Sequence, residues 1–225
     1  MKRIVLAITG ASGAVYARRL GQEIVQAGVE LHLVVSPHGL RVLADELGVR
    51  RLNVAAILGG AAERALREHG ESVPEGAATL HSYRDIGDVL ASGSFRTDGM
   101  VICPCSSNTL AAVAAGLADT LVTRAALVTL KEGRRLIVVP REMPLSQIEI
   151  ANMLRLSQAG ALVCPACPGF YLRPQSVGEL VDFVVGRVLD LLGLEHDLRV
   201  RWEDERARAA GRGAGGEPDA RGEDG

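Results

Sequence analysis

The chain has 225 residues, is 48% hydrophobic and carries a formal charge of −2 at pH 7. That is enough apolar material for one full core, and the near-neutral balance excludes attraction to nucleic acid through net charge. Apolar segments are cut by Gly, Pro or a charge within about ten residues, too short for a membrane-spanning helix, so a soluble cytoplasmic protein is expected.

The first apolar run, Ile4 to Ile8, has the length of a buried strand and ends in Thr9-Gly10-Ala11-Ser12-Gly13. Three-and-four apolar spacing over Ala14 to Ala27 then predicts a helix. A Gly-rich turn between strand and helix aims free N–H groups and the helix dipole at an anion, although such turns also serve simply as tight connections. A second strand over Val29 to Val35 ends at Ser36-Pro37, before a helix over Gly39 to Leu47. Residues 50 to 99 show only weak periodicity, broken by Gly59-Gly60, Pro74 and Gly76, and read as an excursion carrying a loop before Ala91-Ser92-Gly93-Ser94.

The strand Met100 to Cys103 runs into Pro104-Cys105-Ser106-Ser107-Asn108-Thr109, and helical spacing follows over Ser106 to Leu117 and Arg124 to Lys131. Ser36 and Ser106 suit helix caps, a role compatible with contacting a ligand. The fourth strand, Leu136 to Val139, leads into Pro140-Arg141-Glu142-Met143-Pro144, a proline-stiffened loop in which adjacent Arg141 and Glu142 point opposite ways if the chain is extended. A helix over Ser146 to Gln158, a strand over Ala161 to Cys164, the Pro- and Gly-rich loop Pro165 to Tyr171 and a helix over Val177 to Leu192 complete the ordered chain. Strands buried on both faces and alternating with helices define an α/β fold with a doubly wound parallel sheet and a ligand at the strands' carboxyl ends. Hydroxyls and amides converging at three strand ends favour a phosphorylated ligand.

Three further features stand apart. Lysine is confined to Lys2 and Lys131 beside 23 arginines, so Lys131 reflects either a solvated helix end or a need for a compact ammonium at phosphate. Arg187, flanked by Val184, Val185, Val188 and Leu189, faces an anion or water, because an unpaired charge is costly to bury. The pairs Cys103/Cys105 and Cys164/Cys167 follow apolar runs and read better as free thiols than as a metal site. Residues 203 to 225 hold seven acids, four arginines, six glycines and no aliphatic residue larger than alanine. They are expected to form a disordered tail behind one domain spanning 1 to 202.

On these residues the chain resembles the UbiX/Pad-type flavin prenyltransferase family from Arg3 to Trp202. The matching segments are Thr9 to Gly13, Ala91 to Phe95, Val101 to Ser106, Arg124-Ala125-Ala126, Leu130-Lys131-Glu132, Val139 to Glu142, Pro165 to Tyr171, Gln175-Ser176-Val177 and Asp182-Phe183. The resemblance implies a flavodoxin-like subunit of a homododecamer with active sites where subunits meet. It further implies that a dimethylallyl group moves from dimethylallyl phosphate to N5 and C6 of reduced FMN without a metal, yielding prenylated FMN for a UbiD-type decarboxylase. FMN contacts are implied for Gly10, Ala11, Ser12, Ser36, Ser106, Ser107, Asn108, Thr109, Arg124 and Arg141. Allylic phosphate contacts are implied for Lys131, Arg141, Tyr171 and Arg187. Ser12, Glu46 and Glu142 are implied to handle protons, Lys131 to assist phosphate departure and Trp202 to wall the allyl pocket. Ser107-Asn108 departs from the Thr-Gly pair of many members. Quinone synthesis and aromatic-acid breakdown both stay open as uses of the product.

The nearest rival is a flavin-dependent cysteine decarboxylase of the same superfamily, marked by a catalytic histidine and a Pro-x-Met-Asn motif. Here Pro144 is followed by Leu145-Ser146, and His32, His38, His69, His81 and His196 fall outside that context. A non-catalytic flavin-binding subunit is a second rival, which turnover would separate.

Overall fold

Short apolar runs closed by turn residues become parallel strands buried on both faces. The computed structural model describes residues 1–59 and 77–198, so Trp202, the tail 203–225 and His69 lie outside the described residues. Six strands are present there: β1 (Arg3–Ile8), β2 (Glu30–Val35), β3 (Ala78–His81), β4 (Gly99–Cys105), β5 (Arg135–Pro140) and β6 (Leu162–Val163). The helices are α1 (Ala14–Gln26), α2 (Pro37–Leu47), α3 (Val54–Leu58), α4 (Ser107–Ala114), α5 (Leu121–Lys131), α6 (Gln147–Gln158) and α7 (Val177–Leu192).

The strands form one sheet in the order β3-β2-β1-β4-β5-β6, with every pairing parallel. Side chains alternate across it with the two-residue strand period. Ile4, Leu6 and Ile8 of β1 pack with α1, α2, α3 and α7, while Val5 and Ala7 pack on the opposite face with α4, α5 and α6. The doubly wound flavodoxin-like sheet expected from the sequence is therefore the one observed, with β3 added beside β2. Strand order reverses between β1 and β4, and the carboxyl ends of those strands open the crevice in which such sheets bind ligands.

The structure corrects several local readings. Residues 50–99 contain α3 and β3; β3 is a four-residue edge strand of mostly intermediate burial, too short and too mixed to give a periodic signal. The last strand shrinks to Leu162–Val163, although the Cys164 N–H still donates to the Val138 carbonyl at 2.9 Å. Helix α5 begins at Leu121 rather than Arg124, because Thr120 and Thr123 form a reciprocal capping box. Among the described residues no helix is long and apolar enough to cross a membrane.

Candidate active site

The loops after β1 and β4 are fastened together at the point where strand order reverses. Thr9, buried at the end of β1, donates its hydroxyl to the Pro104 carbonyl at 2.8 Å and accepts from the Ser106 N–H at 2.9 Å. Ser106 is the N-cap of α4: its Oγ accepts from the Thr109 N–H at 3.3 Å and lies 3.0 Å from the Thr109 hydroxyl. The N–H groups of Ser107 and Asn108, one and two residues inside α4, have no acceptor among the described residues. Together they form an anion-ready helix terminus lined by hydroxyls.

Ser36, buried at the end of β2, caps α2 by accepting from the Gly39 N–H at 3.0 Å. Gly39 lies so close to β1 that a Cβ there would collide with the Ile8 carbonyl oxygen. This packing holds the Ser36 end of β2 against the first loop.

At the end of the Gly10 to Gly13 turn the fold supplies an anion of its own. The carboxylate of Glu46, on α2, accepts from the Gly13 N–H at 3.0 Å and the Ala14 N–H at 2.8 Å. The first turn of α1 is thus capped by a carboxylate of the same chain, which suits the positive end of the helix dipole. A ligand phosphate is better served by the terminus of α4, where donors remain unspent. Gly13 itself has φ 118°, which favours glycine, and closes the turn beneath the Tyr16 ring. Burial raises the pKa of the Tyr16 phenol, followed by the influence of the Cys103 thiol.

The loop after β5 adds a guanidinium and a carboxylate with different partners. Arg141 donates through Nε to the Ser12 carbonyl at 3.1 Å. Glu142 accepts from the Ser107 hydroxyl at 3.3 Å and from the Met143 N–H at 3.2 Å. Loops after β1, β4 and β5 therefore share one crevice containing a guanidinium, an exposed carboxylate and several hydroxyls.

Beside it, the loop 164–171 folds over α7. The Tyr171 ring meets Phe183 edge-on with centroids 5.6 Å apart, and Arg187 is one turn further along the same helix face. Arg187 is exposed and pairs with Asp190 at 3.0 Å, so within one chain its guanidinium meets water and a neighbouring carboxylate. Cys103 and Cys105 are free and buried, and burial pushes the Cys105 thiol up to about 12.

Not every expected site residue joins this crevice. Lys131 ends α5, just before the amino end of β5, and so stands at the opposite end of the sheet. Its ammonium pairs with Glu132 at 2.9 Å. Arg124 is half-buried near the start of α5, and no hydrogen bond or ion pair among the described residues joins it to the crevice loops. Within a single chain, then, Gly10, Ala11, Ser12, Ser36, Glu46, Ser106, Ser107, Asn108, Thr109, Arg141 and Glu142 are drawn to one sheet end; Lys131 is separate. Thr9 is the residue whose role the sequence did not reveal, its only signal being a hydroxyl directly after an apolar strand.

A parallel doubly wound sheet with hydroxyl-capped helix termini, an arginine and a carboxylate at its switch point defines a phosphate-ligand-binding α/β protein. Comparison with known proteins narrows this class. The model of the family described as Flavoprotein matches residues 1–189. A flavin prenyltransferase UbiX of Thermoplasma acidophilum is 46% identical over 200 residues, covering 89% of this chain and 99% of that protein. The crystal structure of AnUbiX (PadA1) in complex with FMN and dimethylallyl pyrophosphate superposes with a TM-score of 0.76 and 37% identity, covering 89% of this chain and 97% of that one. A dodecameric FMN-dependent UbiX-like decarboxylase from Escherichia coli O157:H7 gives 0.75 at 41% identity, covering 89% and 98%. The chain belongs to the Flavoprotein family and, within it, to the UbiX-type flavin prenyltransferases.

Proposed function

We propose that this protein is a flavin prenyltransferase that moves a dimethylallyl group from dimethylallyl phosphate to reduced FMN, without a metal ion. The observation that carries this reading is the joint crevice of the β1, β4 and β5 loops, where the open terminus of α4 lies beside Arg141 and Glu142. A terminus with unspent N–H groups and hydroxyls from Ser106, Ser107 and Thr109 fits the phosphate of FMN. Ser36, Asn108, Arg124 and Arg141, with Gly10, Ala11 and Ser12, complete the proposed contacts. Bound FMN supplies the nucleophilic N5 and C6.

The chain's own residues do the rest. Arg141, Tyr171, Arg187 and Lys131 take the allylic phosphate and neutralise its oxygens as it departs. Positive charge developing on the allyl fragment is stabilised by an aromatic wall, for which Trp202 is proposed. Glu142 accepts the proton released as a new bond forms, and Ser12 and Glu46 complete the proton path. Because Lys131 stands at the far end of its own sheet, it serves the site of a neighbouring copy, in keeping with the dodecameric relative.

One domain over 1–202 with a tail over 203–225, a cytoplasmic location and delivery of prenylated FMN to a UbiD-type decarboxylase belong to the same reading. It is tested by titrating the purified protein with FMN and following anaerobic turnover with dimethylallyl phosphate after EDTA treatment. Near-stoichiometric FMN and undiminished turnover are expected. Loss of turnover that magnesium or zinc restores would contradict the cationic-clamp mechanism.

A further inference from the structure

Arg134 is half-buried immediately beyond the end of α5, and both terminal nitrogens of its guanidinium donate to backbone. Nη1 donates to the Phe95 carbonyl at 2.8 Å and Nη2 to the Gly93 carbonyl at 2.6 Å. The position of Arg134 relative to Lys131 is set by the helix end itself. Gly133 turns the chain at φ 65°, its N–H donating to the Leu130 carbonyl at 3.0 Å, and the Arg134 N–H donates to the Thr129 carbonyl at 2.9 Å. Lys131 and the residue that grips the 93–95 turn are thus joined through one rigid corner.

The turn in its hold packs directly on Lys131. A Cβ at Gly93 would collide with Glu132 Oε1 and come 3.2 Å from Lys131 Nζ. Glu132 in turn holds the ammonium at 2.9 Å. The far side of the turn is pinned as well, since the Arg3 guanidinium lies 5.0 Å over the Phe95 ring and His32 meets that ring edge-on. An isolated lysine has a flexible stem and loses entropy when its head must stay in one place. Here the head, on an exposed side chain, pairs with Glu132 beside a turn whose backbone is fixed by two donated hydrogen bonds.

We propose that Arg134 is a positioning residue for the reaction, fixing the Gly93–Phe95 turn so that Lys131 is presented in one place to the allylic phosphate in a neighbouring copy. This rests on the reading of Lys131 as a phosphate ligand. A merely structural arginine would lower stability and active-site occupancy alike; a positioning one acts through Lys131 alone.

The test is a double-substitution cycle on the full chain, measured anaerobically at saturating reduced FMN. Arg134→Ala is expected to lower kcat/KM for dimethylallyl phosphate about tenfold while FMN affinity is unchanged. Arg134→Lys, which keeps one donor to a carbonyl, is expected to recover part of that loss. Lys131→Met is expected to lower kcat/KM at least as much, and the double variant is expected to be no worse than Lys131→Met, because the two act on one contact. Additive losses, weakened FMN binding, or unaltered kinetics in Arg134→Ala would overturn the proposal while leaving the prenyltransferase reading intact. An unaltered kcat/KM in Lys131→Met would overturn it by removing its premise, and a wild-type enzyme that does not turn over would overturn both.

Discussion

Replacing Glu46 with alanine removes the carboxylate that accepts from the Gly13 and Ala14 N–H groups at 3.0 and 2.8 Å. Side-chain caps at helix N-termini are worth about 0.5–2 kcal/mol, and a charge at the positive end of the helix dipole about 0.3–1 kcal/mol. Glu46 is exposed, so water can reach the freed donors and full orphaning costs do not apply. A loss of roughly 1–2 kcal/mol follows, or about 2–8 °C in Tm for a domain of this size. Glu46→Gln keeps one acceptor oxygen and is expected to lose about half as much. Urea denaturation of the apo protein measures both. Because the two N–H groups become available in Glu46→Ala, inorganic phosphate is expected to raise the midpoint of that variant more than that of the wild type. An unchanged midpoint in Glu46→Ala would refute the claim that the carboxylate holds the first turn of α1.

Glu142→Gln is expected to bind FMN as the wild type does while prenylated product falls by roughly a hundredfold or more, the usual size of a lost general base; equal product yield under FMN-saturated anaerobic conditions would contradict the proton path. Gly39→Ala would drive a Cβ into the Ile8 carbonyl, and overpacking of this kind costs about 1–3 kcal/mol. A lower Tm together with weaker FMN binding is expected, since Ser36 must move with α2, and an unaltered melt would count against the packing. Burial, and then the charge of His81, lowers the pKa of His32 below its ordinary 6.5. A histidine kept neutral in the fold contributes stability that is present above about pH 6.5 and lost as pH falls toward its folded value, because only the unfolded chain then gains the proton. The urea midpoint should therefore drop as pH falls below about 6.5, and His32→Gln should flatten that slope; parallel slopes would show that another group governs it.

Strands β1, β2, β4 and β5 were legible because strands buried on both faces read as unbroken apolar runs, and their ends in Thr9, Ser36, Ser106 and Arg141 marked the crevice. The edge strand Ala78–His81 was not legible: four residues of mixed burial carry too little period. Nor was the use of Glu46. It lies 33 residues from Gly13, and nothing in local sequence tells a solvated carboxylate on α2 from one folded over a helix terminus. The Gly-rich turn consequently read as an anion cradle, whereas the Gly13 and Ala14 N–H groups at its end go to the chain's own carboxylate. Lys131 drew notice through the scarcity of lysine, but its distance from the crevice follows from strand order, which only the assembled sheet fixes. Arg134 carried no signal at all, because a guanidinium bound to two backbone carbonyls resembles any other arginine among 23.

Mass spectrometry of the flavin recovered after anaerobic incubation of the protein with reduced FMN and dimethylallyl phosphate decides whether the crevice at the carboxyl end of this sheet alkylates the flavin. A flavin heavier by one dimethylallyl unit is expected, formed in the presence of EDTA and diminished in Glu142→Gln. Recovery of unmodified FMN from protein that binds it stoichiometrically would show that the crevice holds the flavin without alkylating it.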